Sequence, residues 1–126
     1  MIYVVAAIIQ QDDKVLICKR AKGKDLALLW EFPGGKIESG ESEFQAIIRE
    51  CKEELNIIIE PIEVFGNATH DYSGTFINIT FITASIIGGD LQNVEHEDIK
   101  WVKRNELKNY KFCPADVAVI ENIIMS

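Results

Sequence analysis

The chain contains little cysteine, no long hydrophobic run and a deficit of positive charge. Its three cysteines, an odd number at wide spacing without a Cys-x-x-Cys pair, indicate neither a disulfide framework nor a zinc site. The longest apolar run, residues 2–9, is too short to span a bilayer, and no basic segment precedes it. We therefore expect reduced thiols, no signal peptide and a soluble cytoplasmic protein without a membrane partner.

The charge balance excludes one large class of partner. Thirteen Lys and Arg residues face twenty Asp and Glu residues, a formal charge of −7. Proteins that bind nucleic acid need basic surface to neutralise phosphates, so no nucleic-acid partner is expected. A single small nucleotide remains compatible if a bound metal ion supplies positive charge. The length of 126 residues predicts one domain over residues 1–126.

Hydrophobic periodicity alternates between strands and two helices. Strands are predicted at residues 2–9, 15–18, 64–68, 76–87 and 99–102, and helices at residues 42–55 and 115–125. Ser42 and Gln45 have the spacing of a capping box, and Pro114 suits the start of the second helix. The predicted apolar stripes consist of Phe44, Ile47, Ile48, Cys51 and Leu55, and of Val117, Ile120 and Ile124. A sharp break is predicted at residues 33–35. This order of elements predicts a mixed α/β fold.

The first helix carries charged residues opposite its apolar stripe. These are Arg49 and the acidic residues Glu50, Glu53 and Glu54. Carboxylates three or four residues apart lie about 5–6 Å from each other and repel by ~0.2–0.5 kcal/mol per pair. Such a face is ordinarily just solvated, and Arg49 with Glu53 forms an ordinary surface pair. A hard divalent cation such as Mg²⁺ would instead turn the repulsion into attraction.

The loop before the helix favours the metal-binding interpretation. Gly35 is followed after five residues by Glu41 and after seven more by Arg49-Glu50, with Glu53-Glu54 beyond. This spacing resembles the Nudix box, which it matches at six positions. Cys51 replaces a usual bulky aliphatic residue, and a buried cysteine packs as a small hydrophobe. Asn56 replaces a usual glycine at a position that we expect to be left-handed, which asparagine tolerates.

The resemblance implies a fold, an activity and a set of metal ligands. Nudix hydrolases form an α/β/α sandwich around a central mixed sheet flanked by helices, and they cleave nucleoside diphosphates linked to another group. Their cofactor is Mg²⁺ or Mn²⁺. By resemblance, Glu50, Glu53 and Glu54 are ligands, the carbonyl of Gly35 completes the site, and one carboxylate acts as base. Glu41 then pairs with Arg49 to orient the loop, in which Gly34 exposes its backbone.

The resemblance extends along most of the chain to the MutT and CTP-pyrophosphohydrolase branch. Glu95, outside the box, is a candidate further ligand or catalytic base, and an ordinary solvated loop residue is an equal alternative. His96 is expected to be a surface histidine. Arg20 resembles a phosphate contact, because a guanidinium fork suits phosphate. The alternative is a surface arginine at the end of a strand. Phe32 resembles part of a base pocket, although it suits the core equally.

Asp116 occupies the place where the branch has a polar residue that reads the base edge. Its alternative role is an N-terminal helix residue favoured by the helix dipole. A carboxylate accepts hydrogen bonds, so the residue prefers bases that present N–H donors. Cytosine, guanine and 8-oxoguanine fit this preference better than thymine or uracil, and the sequence does not choose among them.

Three functional hypotheses follow. The favoured one is a Mg²⁺-dependent nucleoside triphosphate pyrophosphohydrolase that releases a monophosphate and pyrophosphate, in nucleotide-pool sanitation or pyrimidine turnover. The second keeps the Nudix chemistry but takes a diphosphate derivative, such as a nucleotide sugar or dinucleoside polyphosphate. The third is a nucleotide-sensing module without turnover, which the complete carboxylate set disfavours. Monomer and homodimer are equally compatible with the sequence.

Overall fold

The computed structural model describes residues 1–126 as a mixed sheet with a helix on each face. The strands are β1 (Ile2–Gln11), β2 (Lys14–Lys19), β3 (Trp30–Glu31), β4 (Gly34–Lys36), β5 (Ile57–Tyr72), β6 (Thr75–Gly89) and β7 (Asp98–Lys103). The helices are α1 (Glu43–Leu55) and α2 (Pro114–Met125), and a 3₁₀ segment spans Arg104–Asn109.

β1 is the central strand around which the sheet is built. It runs parallel to β6 and antiparallel to β2 and β4. The strand order is β3-β2-β1-β6-β5, with β7 paired to β2. Because helices cover both faces, β1 is apolar at nearly every position rather than at alternate ones.

Alternate residues of β1 contribute to two separate cores. Ala6 and Ile8 belong to the cluster that includes α2, whereas Val5, Ala7 and Ile9 belong to the cluster that includes α1. Successive side chains of a strand point to opposite faces, so the two helices lie on opposite sides of the sheet. The predicted α/β/α sandwich is therefore confirmed.

The ends of α1 follow the predicted local rules. The Ser42 side chain accepts from the Gln45 N–H, and the Gln45 side chain accepts from the Ser42 N–H, which completes the capping box. Asn56 ends the helix with φ 56° and ψ 36°, the predicted left-handed conformation. Cys51 is fully buried, in agreement with its predicted place in the apolar stripe.

The rest of that stripe is rotated relative to the prediction. Phe44 and Ile48 are 39% and 38% exposed, whereas Ala46 is buried together with Ile47, Cys51 and Leu55. Glu54 is also buried. The same kind of shift occurs on α2, where Val117 is 56% exposed and Val119 and Ile123 are buried instead. Periodicity gave the helices correctly but misplaced the angle of each buried face, because a short residue such as Ala46 can lie closest to the sheet.

Two strand assignments also need correction. The predicted strand 64–68 begins seven residues earlier, directly after Asn56, because the Ile57–Ile59 run pairs with β6. Shifts of register near Ile59, Glu63 and Gly66 hide its alternation from a periodicity argument. The break predicted at residues 33–35 overlaps β4, which begins at Gly34 and pairs with β1.

The three cysteines are free and buried, as expected for reduced thiols. Burial is the first cause that raises the pKa of the Cys18 and Cys51 thiols. No helix is both long and apolar enough to cross a membrane.

A matched pair of phenylalanines on β6 tests the position of the α2-side core. Phe81 is fully buried, whereas Phe76 is 50% exposed. Phe81→Ala should lower the free energy of unfolding by about 3–5 kcal/mol, because it removes a packed ring and leaves a cavity. Phe76→Ala should change it by less than about 1 kcal/mol. Urea denaturation of both variants measures the difference, and equal losses would contradict the assigned core.

Candidate active site

Two glycines allow β4 to pass between β1 and α1. Gly34 and Gly35 lie opposite Ala6 and Val5 of β1. A Cβ added to Gly34 would collide with the Val5 carbonyl oxygen, and one added to Gly35 would lie 2.6 Å from the carboxyl carbon of Glu50. The second contact shows that the backbone of Gly35 lies directly against a carboxylate of α1, which only a glycine permits.

Arg49 joins the loop before α1 to the helix. Its Nε and Nη2 donate to the two carboxylate oxygens of Glu41 at 2.6 and 2.9 Å, a bidentate arrangement. Its Nη1 donates to Glu50 at 2.9 Å and lies 3.3 Å from Glu53. The hydrogen bonds from Arg49 lower the pKa of Glu41, and those to Glu41 raise the pKa of Arg49. The predicted Glu41–Arg49 pair is confirmed.

Glu54 occupies a position that the helical pattern did not predict. Its side chain is only 5% exposed, whereas that of Glu53 is 58% exposed. Oε1 of Glu54 is buried and has no hydrogen-bond partner. Burial, followed by the adjacent carboxyl group of Glu50 and the charge of Glu95, raises the pKa of Glu54 well above its ordinary value. A buried carboxylate in this position lacks a compensating positive charge.

The loop between β6 and β7 places Glu95 and His96 over Glu54. Its backbone is attached to the end of α1, since the N–H of Val94 donates to the Glu54 carbonyl at 3.1 Å. Asn93 accepts from the N–H of His96 at 2.9 Å and donates to its carbonyl at 2.8 Å. One ligand atom each from Glu54, Glu95 and His96 lies within 4.8 Å of the others.

His96 is not the surface histidine that the sequence suggested. Its side chain is 5% exposed, and its Nε2 lies 3.4 Å from Oε2 of Glu31 and 3.5 Å from Oε1 of Glu54. Glu31 in turn pairs with Arg20 at 3.1 Å. Sequence reasoning expected His96 at the surface and gave it no role in the site. The signal for Glu31 and His96 was their position, since each is adjacent to a predicted site residue, Phe32 or Glu95.

A cavity of about 850 Å³ lies beside these residues. Of the residues predicted to form the site, its walls include Arg20, Phe32, Gly34, Gly35, Glu54, Glu95 and Asp116. Four residues do not line it: Arg49, Glu50 and Glu53 on the neighbouring face of α1, and Glu41 in the preceding loop. The structure therefore separates the predicted set into a cavity group and an adjacent group on the helix.

Arg20 lines the cavity, and two nitrogens of its guanidinium donate hydrogen bonds within the chain. Nε donates to the carbonyl of Asp25 at 2.7 Å, and Nη1 donates to Glu31. Burial is the largest single effect on the pKa of Arg20 and lowers it. The charge and the hydrogen bond of Glu31, with smaller contributions, outweigh burial, so the pKa is raised overall. These contacts leave Nη2 available to an anion.

Phe32 and Asp116 line the cavity together and are joined by a hydrogen bond. The ring of Phe32 packs edge-on against Phe81, so this residue belongs both to the core and to the cavity wall. Its N–H donates to Oδ1 of Asp116 at 3.3 Å. Burial, followed by the charge of Glu31, raises the pKa of Asp116 to about 8. The sequence argument treated Asp116 as a charged acceptor, and the raised pKa favours its protonated form.

The acidic residues suit a divalent cation. Oε1 of Glu54 is a buried oxygen without a partner, and Glu95 and His96 converge on the same carboxyl group. The backbone of Gly35 approaches Glu50 on the adjoining side. Carboxylate and carbonyl oxygens are the ligands that Mg²⁺ and Mn²⁺ take in proteins, and the charge of an ion would compensate the buried carboxylate.

Comparison with known proteins identifies the family. The NUDIX domain family model matches residues 4–122. The chain is 40% identical over 121 residues to a CTP pyrophosphohydrolase of Escherichia coli strain K12, covering 96% of this chain and 90% of the relative. It is 30% identical over 125 residues to an 8-oxo-dGTP diphosphatase of Haemophilus influenzae, covering 98% and 92%.

A solved structure agrees with these sequence matches. The solution structure of the E. coli ORF135 protein superposes with a TM-score of 0.88 at 38% identity, covering 99% of this chain and 89% of that one. The chain therefore belongs to the Nudix hydrolases, enzymes that act on acid anhydrides. The resemblance drawn from the sequence is confirmed.

The pH dependence of stability tests the burial of Asp116. Its pKa is about 8 in the folded chain against 3.8 for the free side chain. Between these values the folded state binds more protons than the unfolded state, so the free energy of unfolding falls as pH rises. The contribution is complete below the lower value and is lost as pH rises through about 8.

Asp116→Asn should therefore flatten this decline, because the amide cannot ionise. The measurement is urea denaturation at about pH 5, 7 and 9, across the window of linkage. Asp90→Asn is the matched control, since Asp90 is exposed, and it should keep the wild-type slope. An unchanged slope in Asp116→Asn would contradict the assigned burial effect.

Proposed function

We propose that this protein is a Mg²⁺-dependent pyrophosphohydrolase of (deoxy)nucleoside triphosphates, releasing a nucleoside monophosphate and pyrophosphate. The observation that carries the proposal is one cavity whose walls combine two chemically distinct groups of residues. Glu54, buried and without a partner, lines it, and so do Phe32 and Asp116. This arrangement suits a polyphosphate bound beside a cation and a base held by an apolar wall. We further propose that residues 1–126 form one domain.

The acidic face of α1 and the β6–β7 loop form the metal-binding part of the proposed site. The residues that would hold Mg²⁺ or Mn²⁺ are Glu50, Glu53, Glu54, Glu95 and the carbonyl of Gly35. When bound, the ion neutralises charge on the phosphate oxygens and lowers the pKa of the attacking water. Arg49 fixes the carboxylates of Glu50 and Glu53 through its hydrogen bonds, and Glu41 fixes Arg49. Glu53 is our choice of general base, because its side chain is the most exposed of the three on the helix.

Arg20 and Asp116 orient the nucleotide in this proposal. The unengaged Nη2 of Arg20 supplies a donor to a phosphate oxygen. Asp116 in its neutral form presents one O–H donor and one acceptor oxygen. The hydrogen-bonding edge of cytosine, with an amine donor beside a ring-nitrogen acceptor, complements that pair, as does the N1–H and O6 edge of guanine. We place cytosine nucleotides first because the 40% identical relative is a CTP pyrophosphohydrolase.

The substrate assignment is tested with a nucleotide panel. The purified chain is incubated with Mg²⁺ and CTP, dCTP, 5-methyl-dCTP, dGTP or 8-oxo-dGTP, and pyrophosphate and nucleotide products are separated. We expect pyrophosphate release, fastest with a cytosine nucleotide. Release of a phosphosugar from a nucleotide sugar, or of two nucleotides from a dinucleoside polyphosphate, without triphosphate turnover, would support the second class of Nudix substrate instead. Folded protein that releases no pyrophosphate from any triphosphate would reject the proposal. A role in nucleotide-pool sanitation rests on activity towards the 8-oxo or 5-methyl substrates.

Replacement of Glu53 tests the proposed base. Glu53→Gln should lower kcat by about 10²–10⁴-fold, the usual contribution of a general base. The fold should be unaffected, because the side chain is 58% exposed. Glu43→Gln, an exposed glutamate in the first turn of the same helix, is the control and should retain wild-type turnover. Wild-type kcat in Glu53→Gln would remove Glu53 from its assigned role.

Replacement of Asp116 tests the base pocket. Asp116→Asn keeps one donor and one acceptor, so at neutral pH its KM for the preferred nucleotide should stay within about threefold of wild type. Asp116→Ala should raise KM by at least about tenfold, since the base then loses its hydrogen bonds and the Phe32 N–H loses its acceptor. Steady-state kinetics with all three proteins measures both effects. If alanine is as well tolerated as asparagine, Asp116 does not read the base.

A further inference from the structure

The distances around His96 fit two ligands of one ion better than a hydrogen bond. Nε2 lies 3.5 Å from Oε1 of Glu54, and a ligand atom of Glu95 lies within 4.8 Å of both residues. Hydrogen bonds from nitrogen to oxygen are usually about 2.7–3.2 Å long. Two donors bound to one ion at about 2.0–2.2 Å are separated by roughly 2.8–3.1 Å at an octahedral angle and by roughly 3.3–3.6 Å at a tetrahedral angle. The Glu54–His96 separation of 3.5 Å is longer than a hydrogen bond and lies at the upper end of these ligand–ligand separations.

The state of Glu54 independently indicates a ligand at this point. Only 5% of its side-chain surface is exposed, and Oε1 receives no hydrogen bond from the chain. A buried carboxylate oxygen normally has a partner. Here Glu95 and His96 each place a ligand atom within 4.8 Å of one from Glu54.

His96 is held in place by the backbone, which leaves its ring free to bind. Asn93 fixes the N–H and carbonyl of His96, so the ring is not needed to hold the loop. Its Nδ1 is buried and has no partner.

We propose that His96 is a nitrogen ligand of the divalent ion held by Glu54 and Glu95. This inference rests on the proposed function, which supplies the cation, and adds a donor of a different chemical kind. Two carboxylates with one imidazole suit Mn²⁺, Fe²⁺ or Co²⁺ better than Mg²⁺, which strongly prefers oxygen ligands. The site should therefore bind these transition metals more tightly than Mg²⁺.

Glu31 provides the competing explanation. Its Oε2 lies 3.4 Å from Nε2 of His96, and its Oε1 is occupied by Arg20. In that case the Nε2–H of His96 would donate a hydrogen bond to the carboxylates of Glu31 and Glu54 and would orient them without binding the ion. The two explanations differ in one observable, a direct metal–nitrogen bond.

Pulsed electron paramagnetic resonance of Mn²⁺ bound to the full chain, without nucleotide, detects that bond. Nitrogen on the metal gives a ¹⁴N modulation, and labelling histidine with ¹⁵N must change it. The chain has only two histidines, so assignment is direct. The modulation should persist in His70→Gln, the matched control, and disappear in His96→Gln. The labelling experiment keeps the proposal testable even if His96→Gln folds poorly.

Metal affinity measured by calorimetry adds a second readout. His96→Gln should weaken Mn²⁺ binding by at least about tenfold and Mg²⁺ binding by less than about threefold, because only Mn²⁺ makes strong use of nitrogen. Bound Mn²⁺ without histidine-dependent modulation, or equal losses for both ions, would overturn the assignment of His96 while leaving the proposed function intact. Folded protein that binds no divalent ion would overturn both.

Discussion

A carboxylate without a compensating charge in the interior is the constraint on which the rest of this site depends. Glu54 projects from α1 towards the cavity, where burial strongly disfavours its ionised form. Every neighbour that approaches it is acidic or is a histidine, and none donates a well-formed hydrogen bond to Oε1. A fold that retains such a group gains little stability from it, and this supports the divalent cation that we propose at this point.

The scaffold makes that position rigid. The parallel pairing of β1 with β6 forms the centre of the sheet. Gly34 and Gly35 let β4 lie closer to Val5 of β1 and to Glu50 of α1 than residues with a Cβ would. The capping box and the left-handed Asn56 fix both ends of the helix. Arg49 fixes the preceding loop through Glu41. These features come from separate parts of the sequence, yet all of them fix the orientation of the acidic face of α1 relative to the cavity.

Local rules predicted much of this arrangement from the sequence. The helix cap, the Asn56 turn and the Glu41–Arg49 pair depend on residues close together in the chain, where spacing determines geometry. The inward orientation of Glu54 and the enclosure of His96 were not predictable in the same way. Both depend on how far α1 is rotated against the sheet and on where a loop from β6 closes, which involve contacts between distant segments. The raised pKa of Asp116 was not predicted for the same reason, since burial is a tertiary property.

The irregular course of β5 has a consequence for how the molecule behaves at high concentration. β5 forms one margin of the sheet and carries exposed apolar side chains at Ile58, Ile62 and Val64. A regular, flat margin of this composition would invite a strand from another chain and lead to fibrils. Pro61 removes a donor there, and three slips in pairing bend the strand. The same interruptions that concealed this strand in the sequence thus protect the native protein from self-association by strand addition.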